Sequence, residues 1–226
     1  MRRLFKRLNH FLILWQVLVW PTQAEQENVL MIADFESYPN NLGGSVGVFG
    51  AAEPDWEKAE LPHSWYYGEL TPAFSEKNVR RGGQSFMCAN GFAKEKLRWA
   101  TFSVGLGKLV DTEAIPIKID SLDVSPYNYF IFWIKGEKGG EKVTVAFRDG
   151  HAINDLPQVM LDPIPEGASL EWKKVIVPLA DIKEKIDLSQ LDQVILEFGL
   201  NRENLEGNIF YIDDLYFAKE TMDEPQ

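Results

Sequence analysis

"NIFYIDDLYF", residues 208–217, reads as a β-strand, because Ile209, Phe210, Tyr211, Ile212, Leu215, Tyr216 and Phe217 all suit a half-buried pleated surface. Two acids, Asp213 and Asp214, stand side by side in the middle of it. Strand neighbours point to opposite faces, so at least one carboxylate is expected to face a packed side of the sheet. A buried carboxylate is costly without a partner. Whatever satisfies it sets how this strand sits against the rest of the chain.

Working outward, nine more short apolar or alternating runs precede it: "NVLMIADFE" (28–36), "SVGVFG" (45–50), "SWYYGEL" (64–70), "GQSFMCANG" (83–91), "RWATFSVGL" (98–106), "NYFIFWIKG" (128–136), "EKVTVAFRDG" (141–150), "EWKKVIVPL" (171–179) and "QVILEFGL" (193–200). Gly, Pro, Asn and Asp fill the gaps, as turns between antiparallel strands require. "PLADIKEKI" (178–186) is the one expected helix, and it is short. No period of 20 to 50 residues repeats, which argues against a solenoid or propeller. So many strands with so little helix predict an all-β fold, a two-sheet antiparallel β-sandwich or jelly roll. "EKGGEK" (137–142) is expected to be the turn of a hairpin between Asn128–Lys135 and Glu141–Asp149. "GKLVDTEAIPIKIDSLDVSPY" (107–127) is expected to be a long loop between sheets or a lip beside a binding face.

The first 24 residues are expected to stand outside this domain. "MRRLFKRLNH" is basic, "FLILWQVLVW" is apolar, and "TQA" ends on small residues suited to signal-peptidase cleavage after Ala24. A membrane span needs roughly 20 apolar residues, and Gln16 interrupts this run, so no span is expected. The reading is therefore a signal peptide at 1–24, one β-sandwich domain at 25–217 and a polar tail at 218–226, in a chain exported to the periplasm or beyond. The leader holds Arg2, Arg3, Lys6 and Arg7, which leaves 19 of the 23 cationic side chains against 34 acids, a net charge of −15. Such a surface repels nucleic acid and anionic lipid, so neutral ligands and divalent cations are the natural partners. The single cysteine, Cys88, cannot form an internal disulfide.

Acids near the start of the domain offer company to those at its end. Asp34 and Glu36 are two apart and are expected to share one strand face. If the first and last strands are neighbours, these acids approach Asp213 or Asp214. Two arrangements would satisfy them: a calcium ion, which takes roughly 6 to 8 oxygen ligands, or service as turn residues and salt-bridge partners near strand edges. Zinc is disfavoured, because His63 and His151 are the only histidines beyond the leader and are far apart.

In the order "DFE", "VRRGGQSFMCANG", "RWATFSVGL", "LDVSPYNYFIFWIKG", "EWKKVIVPLADI" and "IFYIDDLYF", the chain from about Val29 to Phe217 resembles the galactose-binding-like jelly rolls of bacterial carbohydrate-binding modules. The likeness is to carbohydrate-binding module family 11 and to the related complex I intermediate-associated protein domains. The resemblance implies a structural calcium tying the first strand to the last, with Glu36 and Asp213 as ligands. Backbone oxygens near Gly83 and Gln84 would complete it, and Asp34 and Asp214 are the substitutes if the register slips by one. It also implies glycan binding on one sheet face.

Sugars offer C–H patches that pack on Trp and Tyr and hydroxyls that need polar partners. Three stretches hold that mixture. "HSWYYGE" supplies Trp65 and Tyr67 beside His63 and Tyr66; "AFRDGHAIND" supplies Arg148, Asp149 and His151; "EFGLNREN" supplies Asn201. In "VTVAFRD", Val143, Val145 and Phe147 share one face, which places Arg148 with Thr144 and Ala146 on the other, as on the floor of a groove. Trp133 and Trp99 are expected in the core. No H-E-x-x-H signature occurs. The expected function is a non-catalytic protein that binds a neutral oligo- or polysaccharide; the alternatives are a jelly-roll glycosidase or lyase, or an envelope scaffold with a protein partner.

Overall fold

The computed structural model describes residues 28–37, 40–44, 46–52, 70–76, 78–90, 97–111, 118–151, 159–198 and 208–221. Thirteen strands lie in them: β1 (Val29–Ala33), β2 (Val46–Ala52), β3 (Leu70–Ser75), β4 (Ser85–Asn90), β5 (Leu97–Gly105), β6 (Leu109–Asp111), β7 (Lys118–Ile119), β8 (Tyr129–Gly136), β9 (Thr144–Asp149), β10 (Val159–Met160), β11 (Lys173–Pro178), β12 (Leu191–Glu197) and β13 (Asn208–Ala218). One sheet runs β11-β8-β13-β4-β3, with β1 also paired to β13; the second runs β10-β9-β12-β5-β2; β6 and β7 form a small ribbon. The strand pairings are antiparallel. This is the expected all-β, two-sheet sandwich. Pro72 sits in β3, at an edge of its sheet, where a missing N–H breaks no ladder on the open side.

The core lies between the sheets and follows the period of two. Phe130, Phe132 and Ile134 point inward from β8, and Phe210, Ile212, Leu215 and Phe217 from β13. They meet Val145 and Phe147 of β9, Val194 and Leu196 of β12, and Phe102 and Val104 of β5. Rings lock the layers together: Phe130 stands edge-on to Phe147 at 5.7 Å and lies 5.4 Å from Phe132 and 5.5 Å from Phe217. Phe35, just after β1, takes a left-handed backbone (φ 59°) and lodges its buried ring 6.1 Å from Phe102. A positive φ is costly for a bulky residue, and burial of the ring offsets that cost.

Two local expectations are corrected. Residues 128–135 and 141–149 do not form a hairpin. β8 pairs with β11 and β13 in the first sheet, whereas β9 pairs with β10 and β12 in the second. "EKGGEK" carries the chain from one sheet to the other, with Gly139 and Gly140 both at positive φ (80° and 83°). Its backbone is satisfied by the 168–169 loop instead of a partner strand, Gly136 N donating to Ser169 O (2.7 Å) and Gly140 N to Ala168 O (2.6 Å). Both topologies turn the same alternate residues toward the core, so the pattern does not separate them. The expected helix at 178–186 is a single 3-10 turn, Leu179–Asp181, followed by further turns. Its buried residues, Leu179, Ile182 and Ile186, close one end of the sandwich.

Phe130 touches both layers, so Phe130→Ala should cost about 3–5 kcal/mol of unfolding free energy in urea titration. Ile176→Ala, at a position 41% exposed on the edge strand β11, should cost under about 1 kcal/mol.

Candidate functional site

The acids at 213 and 214 sit on a β-bulge. β13 keeps β8 on one side throughout, but on the other it pairs with β4 from Asn208 to Ile212 and with β1 from Leu215 to Ala218. The register against β8 shifts between Asp213 and Tyr216, and Asp214 adopts φ 47°. One extra residue restores inward alternation, Ile212 and Leu215 both reaching the core. Both carboxylates are buried, at 0% and 1% exposure. They occupy the gap where β4 gives way to β1, and the turn preceding β4 fills it.

That turn is "RRGGQ", residues 80–84. Asp213 Oδ2 accepts from the backbone N–H of Arg80 (3.1 Å) and of Arg81 (3.4 Å), and its Oδ1 accepts from Asp214 N–H (2.9 Å). Asp214 receives the side chains of the same two residues, Arg80 Nη1 on one oxygen and Arg81 Nη2 on the other (3.0 Å for the latter). The Arg80 guanidinium also lies 3.8 Å above the Trp133 ring centroid, a cation–π contact. Trp133 is thus on the outer face of β8, not in the core as expected. Burial, then the neighbouring Asp214 charge, pushes the Asp213 carboxyl up to about 7, against the pull of its N–H donors.

Glu36 braces the other end of the turn. Its Oε1 accepts from the N–H of Gly83 (2.8 Å) and of Gln84 (2.9 Å). Gly82 is required here twice over: its φ is +76°, and a Cβ would stand 2.1 Å from Glu36 Oε1. Asp34 turns elsewhere, accepting from Asn41 Nδ2 (3.0 Å) and from Glu36 N–H (3.1 Å). Asp34 and Glu36 therefore share no strand face, because β1 ends at Ala33.

The carboxylates expected at a calcium site thus converge on one turn, but as arranged they do not fit a cation. Glu36 and Asp213 accept backbone N–H groups, Asp214 lies against two guanidinium groups, and Gln84 offers its N–H. Among the described residues no three His, Cys, Asp or Glu side chains could hold a metal.

The second sheet shows the parity read from "VTVAFRD". Val145 and Phe147 face the core, and Thr144, Ala146 and Arg148 face outward. The strand registers complete that outer face in rows: Thr144, Glu197 and Thr101; Ala146, Ile195 and Ser103; Arg148, Gln193 and Gly105. Thr101, Ser103, Thr144, Arg148, Ile195 and Glu197 are all buried. Arg148 is spent on structure: its Nε and Nη2 grip Asp192 Oδ1 and Oδ2, each at 3.0 Å, with both side chains nearly fully buried. The β12–β9 register shifts between Leu191 and Gln193, so Asp192 is itself a bulge residue. Asp149 holds loops, accepting from His151 N–H (2.9 Å) and Asp187 N–H (3.0 Å). His151 is exposed, with Nε2 3.5 Å from Asp187. Ser189 N–H and Oγ–H, ahead of that contact, hold the Asp187 carboxyl below its ordinary range.

Glu197 is the residue the sequence reading passed over. It is 7% exposed, its Oε2 has no hydrogen-bond partner among the described residues, and burial alone pushes its carboxyl up to about 7. Ser103 Oγ is likewise without a partner. The parity that singled out Arg148 would have found both had it been applied to "LEFGL" and "TFSVG". Trp65, Tyr67 and Asn201 lie outside the described residues.

Two antiparallel sheets in this order make a β-sandwich of the jelly-roll type. The family model for carbohydrate binding domain 30 matches residues 114–219. Among solved structures, the chain is similar to a family 11 carbohydrate-binding module from Clostridium thermocellum in complex with a β-1,3-1,4-mixed-linked tetrasaccharide (12% identity, 84% of this chain and 95% of that one, TM-score 0.54). It is also similar to the family 30 module of a cellulosomal cellulase of the same organism (18% identity, 85% and 99%, TM-score 0.54). An exo-β-agarase matches over 25% of its own length (9% identity, 88% of this chain, TM-score 0.51). No curated protein matches the chain. No helix among the described residues is long and apolar enough to cross a membrane.

Removing one member of a buried ion pair strands the other. Arg148→Ala should cost about 3–5 kcal/mol, read as a fall in the urea midpoint, and Arg80→Ala, which leaves Asp214 with Arg81, should cost less. Because guanidinium groups already face the acids, EDTA should leave the melting temperature unchanged and added calcium should not raise it; a calcium-dependent rise would put an ion among these carboxylates.

Proposed function

We propose that this chain is an exported, non-catalytic glycan-binding module whose ligand lies along the outer face of β5, β12 and β9. The observation that carries the reading is the composition of that face. Thr101, Ser103, Thr144 and Glu197 lie together on it, and sugar hydroxyls need such polar partners. The likeness to family 11 and family 30 modules supports the same class of ligand. Trp65, Tyr67 and Asn201 are proposed as further contacts from the residue types in their loops. The basic and apolar leader supports export to the periplasm or medium.

Hydrolysis fits this face less well. A glycosidase needs two carboxyl groups, about 5–5.5 Å apart for retention or roughly 6.5–9.5 Å for inversion, one kept as acid and one free to attack or activate water. Among the described residues of this face Glu197 stands with Asp192, and Asp192 is held by both prongs of Arg148.

Affinity electrophoresis through gels holding soluble neutral polysaccharides, mixed-linked β-1,3-1,4-glucan among them, should retard the protein on at least one. Dissociation constants are expected between micromolar and millimolar, about 4–8 kcal/mol. No retardation on any, or sustained release of reducing ends, would overturn the reading.

A further inference from the structure

We propose that Glu197 and Ser103 are the pair of groups that read sugar hydroxyls on this face, and that Glu197 does so as an uncharged acid, donating its proton to a sugar oxygen. The proposal rests on the glycan-binding reading and specifies how the site recognises its ligand.

Geometry comes first. Thr101 of β5 and Thr144 of β9 stand directly opposite Glu197, and Ser103 is its diagonal neighbour on the same face. Diagonal neighbours lie roughly 7–8 Å apart, with their Cβ atoms somewhat closer. Glu197 Oε2 and Ser103 Oγ are both buried and, among the described residues, both without a hydrogen-bond partner. Orphaned buried polar atoms are few in folded proteins, and each costs about 1–3 kcal/mol. Two on one patch of one sheet make a site whose hydrogen bonds are completed by a ligand that brings hydroxyl groups.

The charge state follows from the surroundings. From β9 this face receives Thr144, Ala146 and Arg148, with Lys142 on the same parity just before the strand; from β5 it receives Thr101, Ser103 and Gly105. Arg148 is four residues along from Thr144, roughly 13 Å, and is bound to Asp192. No cation pairs with Glu197 among the described residues, and burial alone raises its carboxyl to about 7. Below that pH the group is a neutral donor and acceptor; above it, an ion that must be desolvated again when a neutral sugar covers it.

The sign of the effect is set by linkage. If the complex needs the protonated form, affinity follows the protonated fraction, and a group with pKa about 7 loses about tenfold between pH 6 and pH 8. The test is the affinity of the full chain for whichever neutral polysaccharide retards it, measured from pH 5 to 9, with wild type, Glu197→Gln, Glu197→Ala and Ser103→Ala, and with thermal melts as the control for folding. Wild type should weaken about tenfold from pH 6 to 8. Glu197→Gln, which keeps a donor and cannot ionise, should bind with a flat profile. Glu197→Ala should lose tenfold or more at pH 6 while still melting cooperatively, and Ser103→Ala should lose several-fold. A wild-type protein that binds glycan with a flat pH profile, or a Glu197→Ala protein that binds as well as wild type, overturns this proposal and leaves the glycan-binding reading standing. A wild-type protein that binds no polysaccharide overturns both.

Discussion

A carboxylate taken out of water must meet a donor, and this chain obeys that constraint at two of the bulges in its sheets. In β13 the extra residue is Asp214, whose charge is met by Arg80 and Arg81; in β12 it is Asp192, met by both prongs of Arg148. Each bulge lets a strand change partner or register without losing the inward alternation that builds the core. The first has the wider reach. Through it the turn at 80–84 is held to β13 by Asp213 and Asp214 and to the end of β1 by Glu36, so the first strand, the fourth and the last are joined at one point. A divalent cation could join the same elements. Two guanidinium groups supply the same charge with directed hydrogen bonds, and one is also stacked on Trp133.

The contrast between Asp214 and Glu197 separates structure from site. Both are buried acids on the outer side of a sheet. Asp214 faces two arginines and completes a joint. Glu197 faces two threonines, keeps an orphaned oxygen, and has its carboxyl raised to about 7. A ligand hydroxyl on this face would supply the partner that the described residues do not. Asp149, Arg148 and His151, the polar residues that first suggested a groove, are occupied with one another's loops and with Asp187 and Asp192.

Much of this could be read along the chain. Alternating runs such as "VTVAFRD" marked nearly every long strand and its inward and outward sides, because side-chain parity is a local property of an extended backbone; Trp133 of "FIFWIKG", expected in the core, lies on the outer face that the same parity gives it. The strand "LTPAFS" (70–75) escaped notice, since Pro72 disfavours any but an edge strand. The convergence of Glu36, Asp213 and the "GGQ" turn also came from pattern and resemblance. What filled the space between them did not. A run "VRR" beside a turn looks like solvated charge, and nothing local says that it folds back onto an acid 133 or 134 residues away.

Periodicity, turn chemistry and composition settled the class of fold and the faces of its strands, since each depends on residues within a few positions of one another. Pairing did not follow from them. "EKGGEK" could close a hairpin or cross between sheets with the same residues inward, and the long-range ladder selected the crossing. The same holds for charge. Whether a buried acid becomes a joint, like Asp214, or an unmet hydrogen-bonding group, like Glu197, depends on which distant strand stands opposite, and that is fixed when the sheets assemble.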